Sequence, residues 1–386
     1  MKVLFETLGC KLNFAESSAL AAELRDQGYE RCKVGETPDL CIVNTCSVTD
    51  AADHKDRQAI RSLHRRYPEA RIIVMGCYAQ LKPDEVKAIE GVSEVWSRDL
   101  KTFKAAYSRD DRTRCFLKVQ DGCNYFCSYC TIPLARGRSR NPKIADLVAE
   151  AERAIREGAK EIVLTGVNIG DFGRSTSETF IDLIRALDNL AVDGADYRIR
   201  ISSCEPNLLT DEIIDYVASS RHFAPHFHIP LQSGNNEMLK IMGRRYTREV
   251  FKERVEHIKR VMPRAFIGVD CMVGVRGETE ERFEDYVEFV RGLDVSQLHV
   301  FTYSERANTR MPEMDLYVVP KAERERRSKL MHEISAQKLQ EHYARHQGEE
   351  AVVLWESNGS GWTENYIRVS KGWKRCKVNT FEKITI

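Results

Sequence analysis

Eight residues constrain this chain more than any other stretch: Cys123-Asn124-Tyr125-Phe126-Cys127-Ser128-Tyr129-Cys130, three cysteines at a CxxxCxxC spacing. A closed zinc site or a fully ligated iron–sulfur cluster takes four protein ligands. Three thiolates on one tight loop hold three corners of a [4Fe–4S] cube and leave the fourth iron free to chelate a small molecule. A zinc knuckle, or chance clustering, is the competing reading. The spacing argues against it, because zinc motifs usually run CxxC.

Whether the other cysteines are disulfides decides how they are read. The chain holds twelve. Its start, Met1-Lys2-Val3-Leu4-Phe5-Glu6, lacks the apolar run and small-residue cleavage site of a secretory signal. No apolar stretch is long enough to span a bilayer. The expectation is a cytoplasmic protein with no membrane association and with reduced cysteines, so clustered ones are metal ligands first.

Before the cysteine loop, strands are expected at Lys2–Thr7, Leu40–Thr45 and Arg71–Met75, alternating with helices at Phe14–Gly28 and Asp50–Tyr67. That alternation predicts a small parallel sheet flanked by helices. Cys10, Cys46 and Cys77 each fall just past the carboxyl end of one strand. In an open α/β sheet those ends share one edge, where ligands bind. Each could be an ordinary buried thiol. Three in the same topological position favour a second three-cysteine cluster. Cys32, Cys41, Cys115, Cys204, Cys271 and Cys376 break the pattern and are read as packing residues.

From Phe116 a second alternation runs, with strands at 116–120, 161–164, 197–201, 226–229, 266–273 and 297–301. Six strand–helix units predict a partial (β/α) barrel with its chemistry at the strands' carboxyl ends. Lys321–His346 reads as a long charged helix facing solvent on most sides. After Gly348 the pattern changes to short strands at 351–355, 365–369 and 377–378, a small all-β appendage. Its Trp362, Tyr366, Arg368, Lys371, Trp373, Lys374, Arg375 and Lys377 suit phosphate contact and base stacking, or equally a barrel core with solvated charge. With 59 basic and 58 acidic residues the net charge is +1, so any nucleic-acid surface has to be a local patch. Arg136, Arg138 and Arg140 after the cysteine loop could track phosphate or form a solvated turn.

Three further stretches carry a resemblance: Leu8-Gly9-Cys10-Lys11-Leu12-Asn13, Asn44-Thr45-Cys46-Ser47-Val48 and Gly76-Cys77-Tyr78-Ala79-Gln80. Together with Cys123, Cys127 and Cys130 they resemble the signatures of the radical S-adenosylmethionine (SAM) methylthiotransferase family. Three subgroups modify threonylcarbamoyladenosine in tRNA, isopentenyladenosine in tRNA, or a ribosomal-protein aspartate. The first stretch, with Thr165 to Gly173 and Thr363 to Ile367, is most similar to the first subgroup. The isopentenyladenosine enzymes typically start Tyr-Gly-Cys-Gln, and the ribosomal-protein enzymes typically have Cys-Pro-Lys-Asn. Val275-Arg276-Gly277-Glu278 departs from the family's commoner Phe-Pro-Gly-Glu.

The resemblance implies an α/β chain in three parts: an N-terminal parallel-sheet domain (1–96), a radical SAM partial (β/α)6 barrel with a trailing helix (114–346), and a small TRAM barrel for RNA (347–386). Residues 97–113 link the first two. It implies two [4Fe–4S] clusters, on Cys123, Cys127 and Cys130 and on Cys10, Cys46 and Cys77, with SAM as methyl donor and radical source. Candidate SAM contacts are Tyr129, Thr165, Gly166, Asn168, Ser203, Glu205 and Gln232. The implied partners are a tRNA carrying N6-threonylcarbamoyladenosine and an electron donor such as flavodoxin or ferredoxin. The implied reaction puts a methylthio group on C2 of that adenine. An iron–sulfur enzyme whose second cluster only passes electrons, and a non-catalytic RNA binder, are the alternatives.

Overall fold

The computed structural model describes residues 1–101, 103, 105–108, 113–192, 194–372 and 376–386. Trp373, Lys374 and Arg375 lie outside the described residues. The N-terminal sheet has five parallel strands, β1 (Lys2–Thr7), β2 (Glu30–Arg31), β3 (Leu40–Thr45), β4 (Arg71–Gly76) and β5 (Val92–Val95), in the order β2-β1-β3-β4-β5. Every residue of β3 is buried, as a central parallel strand covered on both faces requires. The short strands β2 and β5 add to the three expected from sequence. They are edge strands with no apolar run. The helix Asp50–Arg66 starts where Thr49 accepts a hydrogen bond from the Ala52 amide, with Asp50 and Asp53 in its first turn.

The barrel strands are β6 (Arg114–Lys118), β7 (Glu161–Thr165), β8 (Arg198–Ile201), β9 (His226–Gln232), β10 (Phe266–Val273) and β11 (Gln297–Thr302). They pair in parallel as two three-stranded sheets. Single bridges, Ile199 to Phe223 and Ser203 to His228, join the halves. Leu117, Ile162, Leu164, Ile199, Ile201, Ile229 and Val269 point outward into one core with the surrounding helices. The alternate positions carry Arg114, Glu161, Arg198, Arg200, His228 and Asp270, so the inner face is polar.

Two helices flank the barrel's edge strands. The helix Lys11–Asp26 sets Ala15, Phe14 and Ala19 against Phe116 and Val163. The helix Lys321–Arg345 lies along β11. Its Ser335 hydroxyl accepts from the Leu298 amide at 3.0 Å and donates to the Leu298 carbonyl at 2.7 Å. That satisfies backbone groups an edge strand would leave open. This helix is therefore less solvent-facing than its charge suggests. It buries Arg327, Met331, Ile334, Ser335, Lys338 and His342, with Arg327 paired to Glu278, Glu280 and Glu323.

The C-terminal strands β12 (Glu350–Trp355), β13 (Ser360–Thr363), β14 (Arg368–Ser370) and β15 (Phe381–Thr385) form an antiparallel sheet in the order β14-β13-β12-β15. Asn365 and Tyr366 are a turn, not a strand, with Tyr366 at φ +61°, and the last strand starts at Phe381. The sheet packs under the barrel's amino-terminal end. Arg198 donates to the Val352 and Trp362 carbonyls at 3.2 Å each. Arg200 donates to the Glu364 and Thr363 carbonyls at 3.1 and 3.3 Å. Glu161 holds both arginines. Burial alone would raise its carboxyl, but Arg200 and Arg198 outweigh this and hold it well below the usual range. Tyr366 packs on His226, Phe266 and Trp362, so both aromatic rings serve this joint. No helix among the described residues is long and apolar enough to cross a membrane.

Candidate cluster and cofactor site

The ends of β1, β3 and β4 converge as the topology demands. Gly9 sits at φ +112°, and a Cβ there would lie 2.9 Å from Cys46 Cβ and 3.3 Å from Cys46 Sγ. Gly76 sits at φ +100°, where a Cβ would lie 2.4 Å from the Thr45 carbonyl oxygen. The glycines before Cys10 and Cys77 thus press the two loops against Asn44-Thr45-Cys46, a position open only to a residue without a Cβ.

Asn13 knots these loops together. Its side-chain amide donates to Asn44 Oδ1 at 2.9 Å and to the Thr45 carbonyl at 2.8 Å. Its Oδ1 accepts from Cys10 Sγ at 3.2 Å and from Arg136 at 3.1 Å. Burial pushes the Cys46 thiol up to about 12 and raises Cys77 as well, with Arg136 and Arg98 pulling Cys77 back. Thiols held that high are inert unless a metal takes the place of the proton. The three cysteines, their glycine-made cradle and the nearby guanidiniums fit a metal cluster.

Cys123, Cys127 and Cys130 line a cavity of about 310 Å³ at the carboxyl ends of the barrel strands. Tyr129, Asn168, Ser203, Glu205 and Gln232 line it too. Both side-chain polar atoms of Asn168, and Gln232 Oε1, are buried there without a hydrogen-bond partner. Native proteins rarely leave such atoms unpaired, so they fit a polar ligand in the cavity. Gln232 is aimed from a backbone at φ +64°, an unusual conformation for a side chain of this size.

Thr165 and Gly166 stand behind this wall. The Thr165 hydroxyl is satisfied by the Val163 carbonyl at 3.0 Å. A Cβ on Gly166 would meet Ile169 at 2.7 Å and Gln120 Oε1 at 2.9 Å, so this glycine is explained by packing. Of the expected packing cysteines, Cys41, Cys115, Cys204 and Cys271 are buried, while Cys32 and Cys376 are partly exposed.

Two features of the cavity had little sequence signal. Arg244 donates to Cys127 Sγ at 3.1 Å and to the Tyr129 hydroxyl at 3.3 Å, and it pairs with Glu205. Burial raises the Glu205 carboxyl, and Arg244 opposes that rise. Asp270, also in the lining, holds His228 Nε2 at 2.6 Å and His299 Nδ1 at 3.3 Å on one oxygen. Only a turn arginine and alternate strand positions mark these residues in the sequence.

The N-terminal domain roofs the same cavity through Val48 and Thr49. Arg306, from the loop after β11, bonds Ser47 Oγ at 2.7 Å, Asp53 at 3.0 Å and Asp50 at 2.6 Å. Arg136 is buried and pairs with Glu16 and Asp121, and Arg140 also pairs with Asp121. Arg136 therefore ties the barrel to the N-terminal domain, Arg140 braces its own loop through Asp121, and neither is free to track phosphate. Arg138 alone of the three is exposed.

Comparison with known proteins follows this architecture. The model of the Radical SAM superfamily matches residues 117–290, and that of "Uncharacterized protein family UPF0004" matches residues 2–97. The chain is 36% identical to a threonylcarbamoyladenosine tRNA methylthiotransferase of Bacillus subtilis, over 95% of this chain and 89% of the relative. It is 33% identical to one of Aquifex aeolicus, over 96% and 97%. A tRNA-2-methylthio-N6-dimethylallyladenosine synthase of Carboxydothermus hydrogenoformans is 32% identical, over 80% and 77%. Among solved structures, a radical SAM methyltransferase from Kitasatospora setae superposes with a TM-score of 0.57 at 16% identity, over 78% of this chain and 72% of that one.

Proposed function

This chain belongs to the radical SAM methylthiotransferase family, and we propose that it adds a methylthio group to C2 of N6-threonylcarbamoyladenosine next to the anticodon in tRNA. It is an enzyme of the SAM-dependent radical type, with a [4Fe–4S] cluster and SAM as its cofactors. Bound at Cys123, Cys127 and Cys130, cluster and SAM supply a 5′-deoxyadenosyl radical, the reagent for an unactivated C–H bond. A second cluster at Cys10, Cys46 and Cys77 supplies the place for the sulfur.

The chain's own residues do the positioning. Asn168, Gln232 and Ser203 offer hydrogen bonds inside the cavity. The Glu205–Arg244 pair offers both charges to the amino and carboxylate groups of an amino-acid end. Tyr129 and the roof at Val48 and Thr49 help keep water from the reacting atoms. The observation that carries the reading is that the loop following Cys46 reaches the cavity of Cys123, Cys127 and Cys130, with Val48 and Thr49 in its lining and Thr131 bonded to the Ser47 carbonyl. A lone radical cluster needs no second cysteine loop beside its pocket.

The substrate reading rests on the threonylcarbamoyladenosine relatives, with tRNA as the partner and an electron-carrier protein as the reductant. Purified enzyme with reductant and SAM is offered threonylcarbamoyladenosine tRNA and isopentenyladenosine tRNA in parallel. Methylthiolated nucleoside is expected with the first alone. Equal turnover of both would overturn the substrate and leave the methylthiotransferase chemistry standing.

A further inference from the structure

The cysteine loop has an outer face that the cavity does not use. Tyr125 and Tyr129 turn toward the cavity, but Phe126 points away and is 42% exposed. Its backbone sits at φ +51°, a strained conformation for an aromatic residue. Three exposed arginines from separate elements surround it. Arg138 lies over the Phe126 ring at 5.8 Å. Arg310 donates to the Phe126 carbonyl at 2.8 Å. Arg245 donates to the Asn124 carbonyl at 2.7 Å and lies over the Tyr125 ring at 4.3 Å.

None of these three arginines meets a carboxylate among the described residues. The buried Arg136, Arg140, Arg198, Arg200, Arg306 and Arg327 are all neutralised by carboxylates, whereas these three leave their charge to the solvent face. The patch also lies close to a candidate cluster ligand. A Cβ on Gly243 would be 3.7 Å from both Cys127 Cα and Arg310 Nη2. Gly243 therefore lies beside both the Arg310 guanidinium and the Cys127 backbone.

Radical SAM chemistry starts with one electron delivered to the cluster from outside. We propose that the face formed by Phe126, Arg138, Arg245 and Arg310 is the docking surface for an acidic one-electron carrier protein. The ring seats the apolar centre of the contact, and the arginines meet the carrier's carboxylates around its redox group. The carrier loses one electron and the [4Fe–4S] cluster gains it, with no bond made or broken. Unpaired charge on both partners steers encounter and makes the complex salt-sensitive. None of Phe126, Arg138, Arg245 and Arg310 lines the cavity that would receive a nucleotide, which favours a carrier over RNA.

The inference rests on the radical SAM reading alone, so its test uses no RNA. Reduced flavodoxin is the probe, with Arg138→Glu and the double variant Arg138→Glu/Arg245→Gln compared with the unaltered protein. Direct titration should show flavodoxin affinity falling about tenfold or more, with a shallower salt dependence. Flavodoxin-driven formation of 5′-deoxyadenosine should fall with it. Dithionite-driven formation and iron content should stay unchanged in Arg138→Glu. Equal losses with dithionite and flavodoxin, or unchanged flavodoxin affinity, would overturn the proposal. So would a tRNA affinity that falls while flavodoxin affinity holds, which would assign the patch to RNA.

Discussion

Thr131 donates its hydroxyl hydrogen to the Ser47 carbonyl oxygen across 3.4 Å, so the residue after Cys130 touches the residue after Cys46. These cysteines are 84 positions apart in sequence and sit in different domains. One contact therefore fixes the two candidate cluster loops against each other. Arg306 and Arg136 reinforce it from either side.

The first prediction follows from the cradle at Gly9. Alanine there would force a Cβ to within 2.9 Å of Cys46 Cβ at φ +112°. Gly9→Ala, like Cys46→Ala, is expected to lose about half of the roughly eight irons of two clusters. Reductive cleavage of SAM should survive in both. Iron and sulfide assay after anaerobic reconstitution measures this, and full iron in Cys46→Ala would mean that the second site is misassigned.

The second concerns RNA. Removing the chain after Gly348 would bare Arg198, Arg200 and Glu161, so truncation confounds binding with folding. The exposed Arg368 and Lys377 offer a cleaner test, since Lys371 is already paired with Glu382 at 2.5 Å. Charge reversal at both should weaken tRNA binding and flatten its salt dependence by ~0.7–0.9 log units per lost phosphate contact. An unchanged slope would place the RNA elsewhere on the protein.

What the sequence made legible is what periodicity and strand ends encode. The parallel sheet, six barrel strands and three converging cysteines follow from apolar runs that stop at a glycine or a cysteine. Periodicity is blind to pairing. Arg327 and Lys338 look solvated in a charged helix, yet Arg327 is paired with glutamates and Lys338 donates to the Leu293 carbonyl. Trp362 and Tyr366 look like stacking platforms, yet they are the joint between sheet and barrel. Arg244 reaches Cys127 from 117 positions away, a distance no local pattern reports.

His342 gives a pH prediction. It hydrogen-bonds the Asn365 carbonyl at 3.1 Å and Ser296 Oγ at 3.2 Å. Burial lowers it from 6.5 to about 4. Its folded value lies below its unfolded one, so the unfolded state binds the proton first. Its contribution is fully present above about 6.5 and is lost as pH falls toward about 4. The loss is at most about 3 kcal/mol at 1.36 kcal/mol per unit. Hydrogen exchange at residues 362–367, corrected for intrinsic rate, should show the sheet loosening at pH 5 relative to pH 7.5. Substituting His342→Gln should abolish this difference. A persistent difference would assign it to other groups.

The last prediction concerns what tells one tRNA from another. Threonylcarbamoyladenosine carries a carboxylate, and a buried carboxylate without a partner is costly. Lys11 directly follows Cys10, in the first turn of the helix packed against the barrel's inner face. Burial lowers its pKa; Asp270 and Tyr366 oppose this, while Arg114 and Arg200 add to it. Lys11 is thus next in sequence to a cysteine of the second set and feels the charges of the barrel's polar inner face. A substrate carboxylate would give its charge a partner; an isopentenyl group would not. Lys11→Gln is expected to lower kcat/KM for threonylcarbamoyladenosine tRNA roughly tenfold to a hundredfold, with SAM cleavage and iron content retained. The gap between the two tRNAs should narrow, because specificity built on a polar partner collapses when that partner is removed. Should Lys11→Gln keep the full preference, the carboxylate is read by another cation.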